Sequence, residues 1–220
     1  MIELQNISKI YRSKGKEVFA LDNVSLNIEQ GEFVVIRGAS GSGKTTLLLT
    51  LGAMLKPSQG IIRIDKENIN DYSESQRNHF RATKIGFVFQ MFHLLPYLTV
   101  LENITVASLN KLKAEAEKLL TEFGLAERLT HKPNALSAGE KQRTAVARAL
   151  INKPKIILAD EPTGNLDPEN AQEIMKSFSQ FHKNGGTVVV VTHGSEADKF
   201  ADRIISLKNG KIDNRQSIKQ

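Results

Sequence analysis

The sequence predicts an α/β fold: a mixed, mostly parallel core sheet, an antiparallel β element in front of it, and a helical insert within it. Short apolar runs recur at 33–36, 85–89, 156–159 and 188–192. They are too uniformly apolar for strands with one wet face, so both faces of their sheet must be covered. Helical patterns lie between them, as expected of parallel strands joined by crossovers. The first 30 residues instead place apolar side chains among polar ones at near-alternating spacing, as in strands buried on one side.

In chain order, Ile2, Leu4 and Ile7, then Val24, Leu26 and Ile28, give the antiparallel element. Phe33-Val34-Val35-Ile36 reads as a strand. A glycine-rich turn follows, then an apolar stretch at 45–54 of helix length that halts near Lys56-Pro57, since proline restricts the residue before it. The run at 85–89 is the next strand. Patterns at 114–123 and 140–151 are helical, so a helical subdomain is expected at about 91–153, ahead of the strand starting at Ile156. The run at 188–192 is a further core strand. Ile205 and Leu207, then Asn209-Gly210, then Ile212 signal a closing hairpin. With no internal repeat or long linker, the 220 residues suit one domain spanning 1–220.

Composition narrows the function. At 40% apolar and 25% charged, the chain has the make-up of an ordinary globular protein. No apolar run approaches the roughly 18 residues that suggest a membrane span, and the N-terminus lacks the layout of a signal peptide. The net charge of +6 comes from basic residues interspersed with acids, which argues against nucleic acid as a partner. Zero cysteines exclude disulfides and thiolate metal sites, and His79, His93, His131, His182 and His193 show no close metal-ligand spacing.

The sharpest motif is Gly38-Ala39-Ser40-Gly41-Ser42-Gly43-Lys44-Thr45, which matches G-x-x-x-x-G-K-[ST] between a strand and a helix. Glycines let backbone N–H groups turn inward around phosphate oxygens, and the helix N-terminus adds positive potential. Lys44 can then reach the β- and γ-phosphates, and the Thr45 hydroxyl can ligate Mg²⁺. A second element, Ile156-Ile157-Leu158-Ala159-Asp160-Glu161, is an apolar strand ending in two carboxylates. Asp160 is suited to the metal and Glu161 to taking a proton from attacking water. A third, Leu136-Ser137-Ala138-Gly139-Glu140-Lys141-Gln142-Arg143, opens a helix with an S-x-x-E capping box.

Together these motifs resemble the ATP-binding cassette (ABC) ATPases, a branch of the P-loop NTPase fold, and the resemblance covers nearly the whole chain. The third element is similar to the family signature LSGGQ. Tyr11 matches the aromatic that stacks on adenine, Gln90 the Q-loop glutamine, Asn165-Leu166-Asp167 the D-loop and His193 the switch histidine. The resemblance implies a homodimer in the ATP-bound state, with each ATP held by Tyr11 and the loop from Gly38 through Thr46 of one copy. Ser137, Ala138, Gly139 and Glu140 of the other copy would complete it. It further implies Mg²⁺ at Thr45, Gln90 and Asp160, Glu161 as general base, His193 holding the γ-phosphate and water in line, and Gln90 sensing the metal and the membrane partner.

Within the family, residues 89–103 and 161–167 look like the lipoprotein-releasing (LolD-like) and macrolide-exporting (MacB-like) branch. That implies a peripheral ATPase on the cytoplasmic face of the plasma membrane, driving separate permease subunits that export or extract lipoprotein, peptide or drug. The alternative is an FtsE-like regulatory ATPase that moves no solute. A soluble ABC machine acting on DNA or ribosomes fits less well, because those carry tandem cassettes, coiled-coil arms or zinc elements. Three departures from the branch stand out: Ala138 at the first signature glycine, Gly194 where aspartate is usual after the histidine, and a short segment between Ile104 and Ala114.

Overall fold

A computed structural model describes residues 2–13, 15–110 and 113–219. The first strands, β1 (Ile2–Ser13) and β2 (Lys16–Ile28), pair antiparallel, with Ile2 opposite Ile28 and Leu4 opposite Leu26. The alternation that predicts them slips between Leu4 and Ile7, where the register shifts and Asn6 takes a positive φ of 50°. Such a bulge adds a residue to one strand while returning Ile7 to the buried face.

The next strand, β3 (Phe33–Arg37), leads through the glycine-rich turn into α1 (Lys44–Leu51). The sequence expectation for this helix, 45–54, runs three residues too far. Gly52 packs so closely on Phe87 that a Cβ there would lie 1.9 Å from the ring, and Ala53 turns to a φ of 54°, which a right-handed helix cannot contain. There follow β4 (Gln59–Ile64), β5 (Glu67–Asn68), α2 (Glu74–Lys84) and β6 (Ile85–Phe89). Between β6 and β7 (Ile156–Asp160) run α3 (Val100–Thr105), α4 (Lys113–Glu122) and α5 (Ala138–Leu150). The chain closes with α6 (Pro168–Lys183), β8 (Thr187–Thr192), β9 (Arg203–Lys208) and β10 (Lys211–Lys219).

Two sheets result. One has the antiparallel order β2-β1-β4-β5; the other is six-stranded, β10-β9-β3-β8-β7-β6, parallel throughout except for edge strand β10. The parallel strands are covered on both faces, as their apolar runs require. Val34, Ile36, Leu158, Val189 and Val191 join α1 and the antiparallel sheet in one core. Phe33, Val35, Ile157, Ala159, Val188 and Val190 point the other way, onto Ile174, Met175 and Phe178 of α6. A third cluster draws Val100 and Ile104, Ala116 and Leu120, and Ala147 and Ile151 together around α3, α4 and α5. Helix α5 serves two cores at once, since its Val146 packs toward the sheet.

Candidate functional site

Parallel strands in register end together, and here their C-terminal ends bring the chemistry to one edge. Arg37 lies opposite Thr192, Asp160 opposite Val191, and Phe89 opposite Asp160. The residues that follow, Gly38, His193, Glu161 and Gln90, therefore meet although they are far apart in sequence. A cavity of about 700 Å³ opens there, and Ala39, Ser40, Gly41, Gly43, Lys44, Thr45, Thr46, Gln90, Asp160, Glu161 and His193 line it.

Crowding dictates the loop's glycines. A Cβ on Gly38 would sit 2.3 Å from the Leu207 carbonyl oxygen, and one on Gly43 2.2 Å from that of Ala20. Gly43 also takes a left-handed φ of 102° at the N-cap of α1, where it supplies no side chain to cap the first N–H groups. Those donors suit an anion. Gly38 and Ser42 lie behind the lining, Ser42 buried with no hydrogen-bond partner for Oγ. The Asn209-Gly210 hairpin, both residues at positive φ, buttresses the loop from outside: the Gly210 N–H donates to the Ser42 carbonyl at 2.9 Å.

Lys44 is 8% exposed at the side chain, with Nζ donating to the carbonyls of Gly38 at 2.8 Å and Ala39 at 3.2 Å. Glu161 Oε1 is 3.7 Å from it. The other carboxylate oxygen of Glu161, Oε2, accepts from Thr192 Oγ1 at 2.9 Å and from the His193 N–H at 3.3 Å, and it lies 3.0 Å from His193 Nδ1. Glu161 holds this pose at a φ of 44°, a strained conformation for a non-glycine residue that functional sites tend to retain. Burial pushes the Asp160 carboxyl above the ordinary aspartate range and Glu161's charge adds to this; a hydrogen bond from Thr45 and the charge of Lys44 oppose it. A carboxyl whose charge is disfavoured by burial, beside a threonine hydroxyl, is a fitting hard-cation donor set. Gln90, the remaining residue expected at the metal, is linked to Asn165 by amide contacts at 3.3 and 3.5 Å.

The other expected residues lie elsewhere. Tyr11 is not in the lining; it is 45% exposed on β1 opposite Val18, with the Lys9 ammonium 5.5 Å from its ring centroid. Among the described residues, none of 137–140 reaches the cavity. Ser137 and Glu140 form the reciprocal capping box of α5, and Glu140 also takes a 2.7 Å bond from Arg128 Nε, which holds its carboxyl below the ordinary glutamate range. Ser137 and Ala138 are exposed, whereas Gly139 is buried, 2.0 Å from Asn170 Oδ1 at its would-be Cβ.

The family model described as "ABC transporter" matches residues 21–164. This chain belongs to the ABC transporter family. It is 44% identical over 217 residues to the macrolide export ATP-binding/permease protein MacB of Chlorobaculum tepidum, covering 96% of this chain and 33% of that one. It is also 44% identical over 230 residues to the ABC transporter ATP-binding protein MJ0796 of Methanocaldococcus jannaschii, covering 100% and 98%. The chain thus spans a third of the exporter's length and nearly all of the stand-alone cassette. A solved structure of the MJ0796 cassette, dimeric, post-hydrolysis and bound to ADP and Pi, superposes with a TM-score of 0.92 at 42% identity. The chain is an ABC ATPase domain, the ATP-binding subunit of a transporter, and its cofactors are ATP and Mg²⁺.

Sequence reasoning missed several residues that shape this site. Ala20 lines the cavity and its carbonyl oxygen closes on Gly43, but an alanine within a strand carries no signal. Thr192 orients Glu161, and the buried Gln142 donates from Nε2 to the Pro162 carbonyl at 2.6 Å, pinning the turn after Glu161 to α5.

Proposed function

We propose that the chain is the motor of a MacB-type export or extraction system. It forms a homodimer that closes on ATP at the cytoplasmic face of the plasma membrane, and it drives permease subunits that move lipoprotein, peptide or drug. The observation that carries this is a divided site: the phosphate loop, carboxylates and histidine share one cavity, while the signature residues sit exposed at a separate, capped helix start. In a two-fold dimer, an exposed patch of one copy can complete the cavity of the other. The naming of the MacB relatives as joint ATP-binding and permease proteins supports a membrane partner, and the dimeric MJ0796 cassettes support the pairing.

In this reading the N–H groups of residues 39–45 and the Lys44 ammonium hold the phosphates. Tyr11, exposed on the strand beside β2, offers its ring to adenine, and Ser137, Ala138 and Gly139 approach the γ-phosphate from the second copy. Thr45, Asp160 and Gln90 would hold Mg²⁺, which when bound neutralises charge on the phosphate oxygens. Glu161 is oriented through Oε2, which accepts from Thr192 Oγ1 and the His193 N–H and lies beside His193 Nδ1, and this leaves Oε1 to take the proton of the attacking water. His193, beside it, aligns the γ-phosphate.

Hydrolysis that needs two copies should rise faster than linearly with protein concentration before dimers saturate. A rate strictly proportional to concentration over a wide dilution series would contradict the divided site. For the cargo, co-purification of a permease with a large extracytoplasmic domain supports export, and capture of a cell-wall hydrolase regulator contradicts it.

A further inference from the structure

Arg37 is the last residue of β3, immediately before the phosphate-binding loop, and its side chain does not line the cavity. Its Nη2 donates to Oδ2 of Asp198, which opens the short 3-10 turn Asp198–Phe200 beyond His193. The two side chains are largely buried, 32% and 24% exposed, and Arg37 Nε and Asp198 Oδ1 have no further hydrogen-bond partner. The bridge therefore joins the strand that carries the phosphate loop to the segment that carries the histidine.

Beyond Thr192, which ends β8 opposite Arg37 in the sheet, the near end of that segment is fastened through Glu161. The His193 N–H and Nδ1 both meet Glu161 Oε2, and Thr192 Oγ1, which accepts from the Gly194 N–H, donates to the same oxygen. His193, Ser195 and Glu196 are exposed, and Gly194 has no side chain with which to hold the turn. At the far end, Ala197 is buried in the core and Asp198 is held by a charge-assisted bond.

We propose that Arg37 and Asp198 are positioning residues for ATP hydrolysis, whose bridge keeps the His193 loop in register with the phosphate-binding loop. The proposal rests on the roles given above to Glu161 and His193.

The test compares Arg37→Met, Asp198→Asn, the double variant and Arg37→Lys. Steady-state kcat and KM for MgATP are measured, with the fraction of protein that binds a non-hydrolysable ATP analogue as a count of intact sites. Each single variant should lose about 5–50-fold in kcat with KM within about 3-fold, and the double should be no worse than the worse single. Arg37→Lys should regain most of the rate, because only one nitrogen of the guanidinium makes the contact. Wild-type kcat in both single variants, additive losses in the double, or a kcat that falls only with the analogue-binding fraction would each overturn the proposal. Glu161→Gln in the same assay separates the two layers. If it is inactive while Arg37→Met is active, this proposal alone fails; if it is active, the site assignment beneath fails too.

Discussion

Replacing Glu161 with glutamine keeps the side-chain size and one acceptor oxygen but removes the ability to take a proton from water. General-base catalysis contributes about 10²–10⁴-fold, or roughly 3–5 kcal/mol of barrier, and the chemical step should slow by that factor. Folding should survive. A glutamine oxygen can still accept from Thr192 and His193, and Lys44 keeps its bonds to the Gly38 and Ala39 carbonyls. What disappears is the attraction across 3.7 Å to Lys44, roughly 4 kcal/mol gross at an effective dielectric near 20, most of which desolvation of the two groups already offsets. Loss of that negative charge should favour bound ATP, so the variant should accumulate as an ATP-loaded dimer. Single-turnover hydrolysis reads the chemistry and size exclusion in MgATP reads the dimer. Near wild-type hydrolysis, or a monomer in saturating MgATP, would refute the assignment and leave His193 as the next candidate.

Lys44→Ala should abolish tight ATP binding, measured by equilibrium titration, because it removes the charge from an otherwise backbone cradle. Asp160→Asn should abolish Mg²⁺-dependent hydrolysis yet raise the thermal midpoint without nucleotide or Mg²⁺. The asparagine oxygen still accepts from Thr45, while the burial penalty on a carboxylate is removed. Since that penalty lifts the folded pKa of Asp160 above its unfolded value, the wild type loses stability as pH rises through the raised value. The variant's advantage should therefore be largest above the carboxylate range and vanish below it. Gly139→Ala should destabilise the fold by about 1–3 kcal/mol in urea titrations even without ATP, because the new methyl displaces Asn170. That asparagine cannot yield freely, being bonded to Arg143 Nη1 and Asp167 Oδ2 at 2.7 Å each.

The strands and the phosphate loop are legible in sequence because they rest on local rules. Runs buried on both faces end at or within a residue of the strands they predict, β6 at Phe89 and β7 at Asp160, one past the run to Ala159, and Asn209-Gly210 forms its turn at the positive φ those residues tolerate. Helix α6 is read as no element, although Asp167 caps it, Pro168 starts it and Ala171, Ile174, Met175 and Phe178 follow helical spacing. Helix α2 is likewise read as no element: it buries Phe80 alone, but Ser73 and Gln76 form a capping box at its start. The end of α1 is set by Phe87 on another strand, a contact invisible to any local window. The same holds within the site. Its motif residues are readable one by one, but Thr192, Gln142 and the Arg37–Asp198 bridge act through distant pairing. Within the short segment from Ile104 to Ala114, residues 111 and 112 lie outside the described ones.

The central claim is that one chain holds the phosphates and another completes the site. Mixing Lys44→Ala chains with Ser137→Arg chains tests it directly, because each is defective in a different half. In a two-fold dimer, every mixed pair contains one site with an intact phosphate loop facing an intact signature. Neither variant alone should hydrolyse ATP. An equimolar mixture should recover about a quarter of wild-type activity, since random pairing makes half the dimers mixed and each of these has one good site of two. A mixture that stays as inactive as its components would contradict the account, as would a Ser137→Arg protein that is fully active alone.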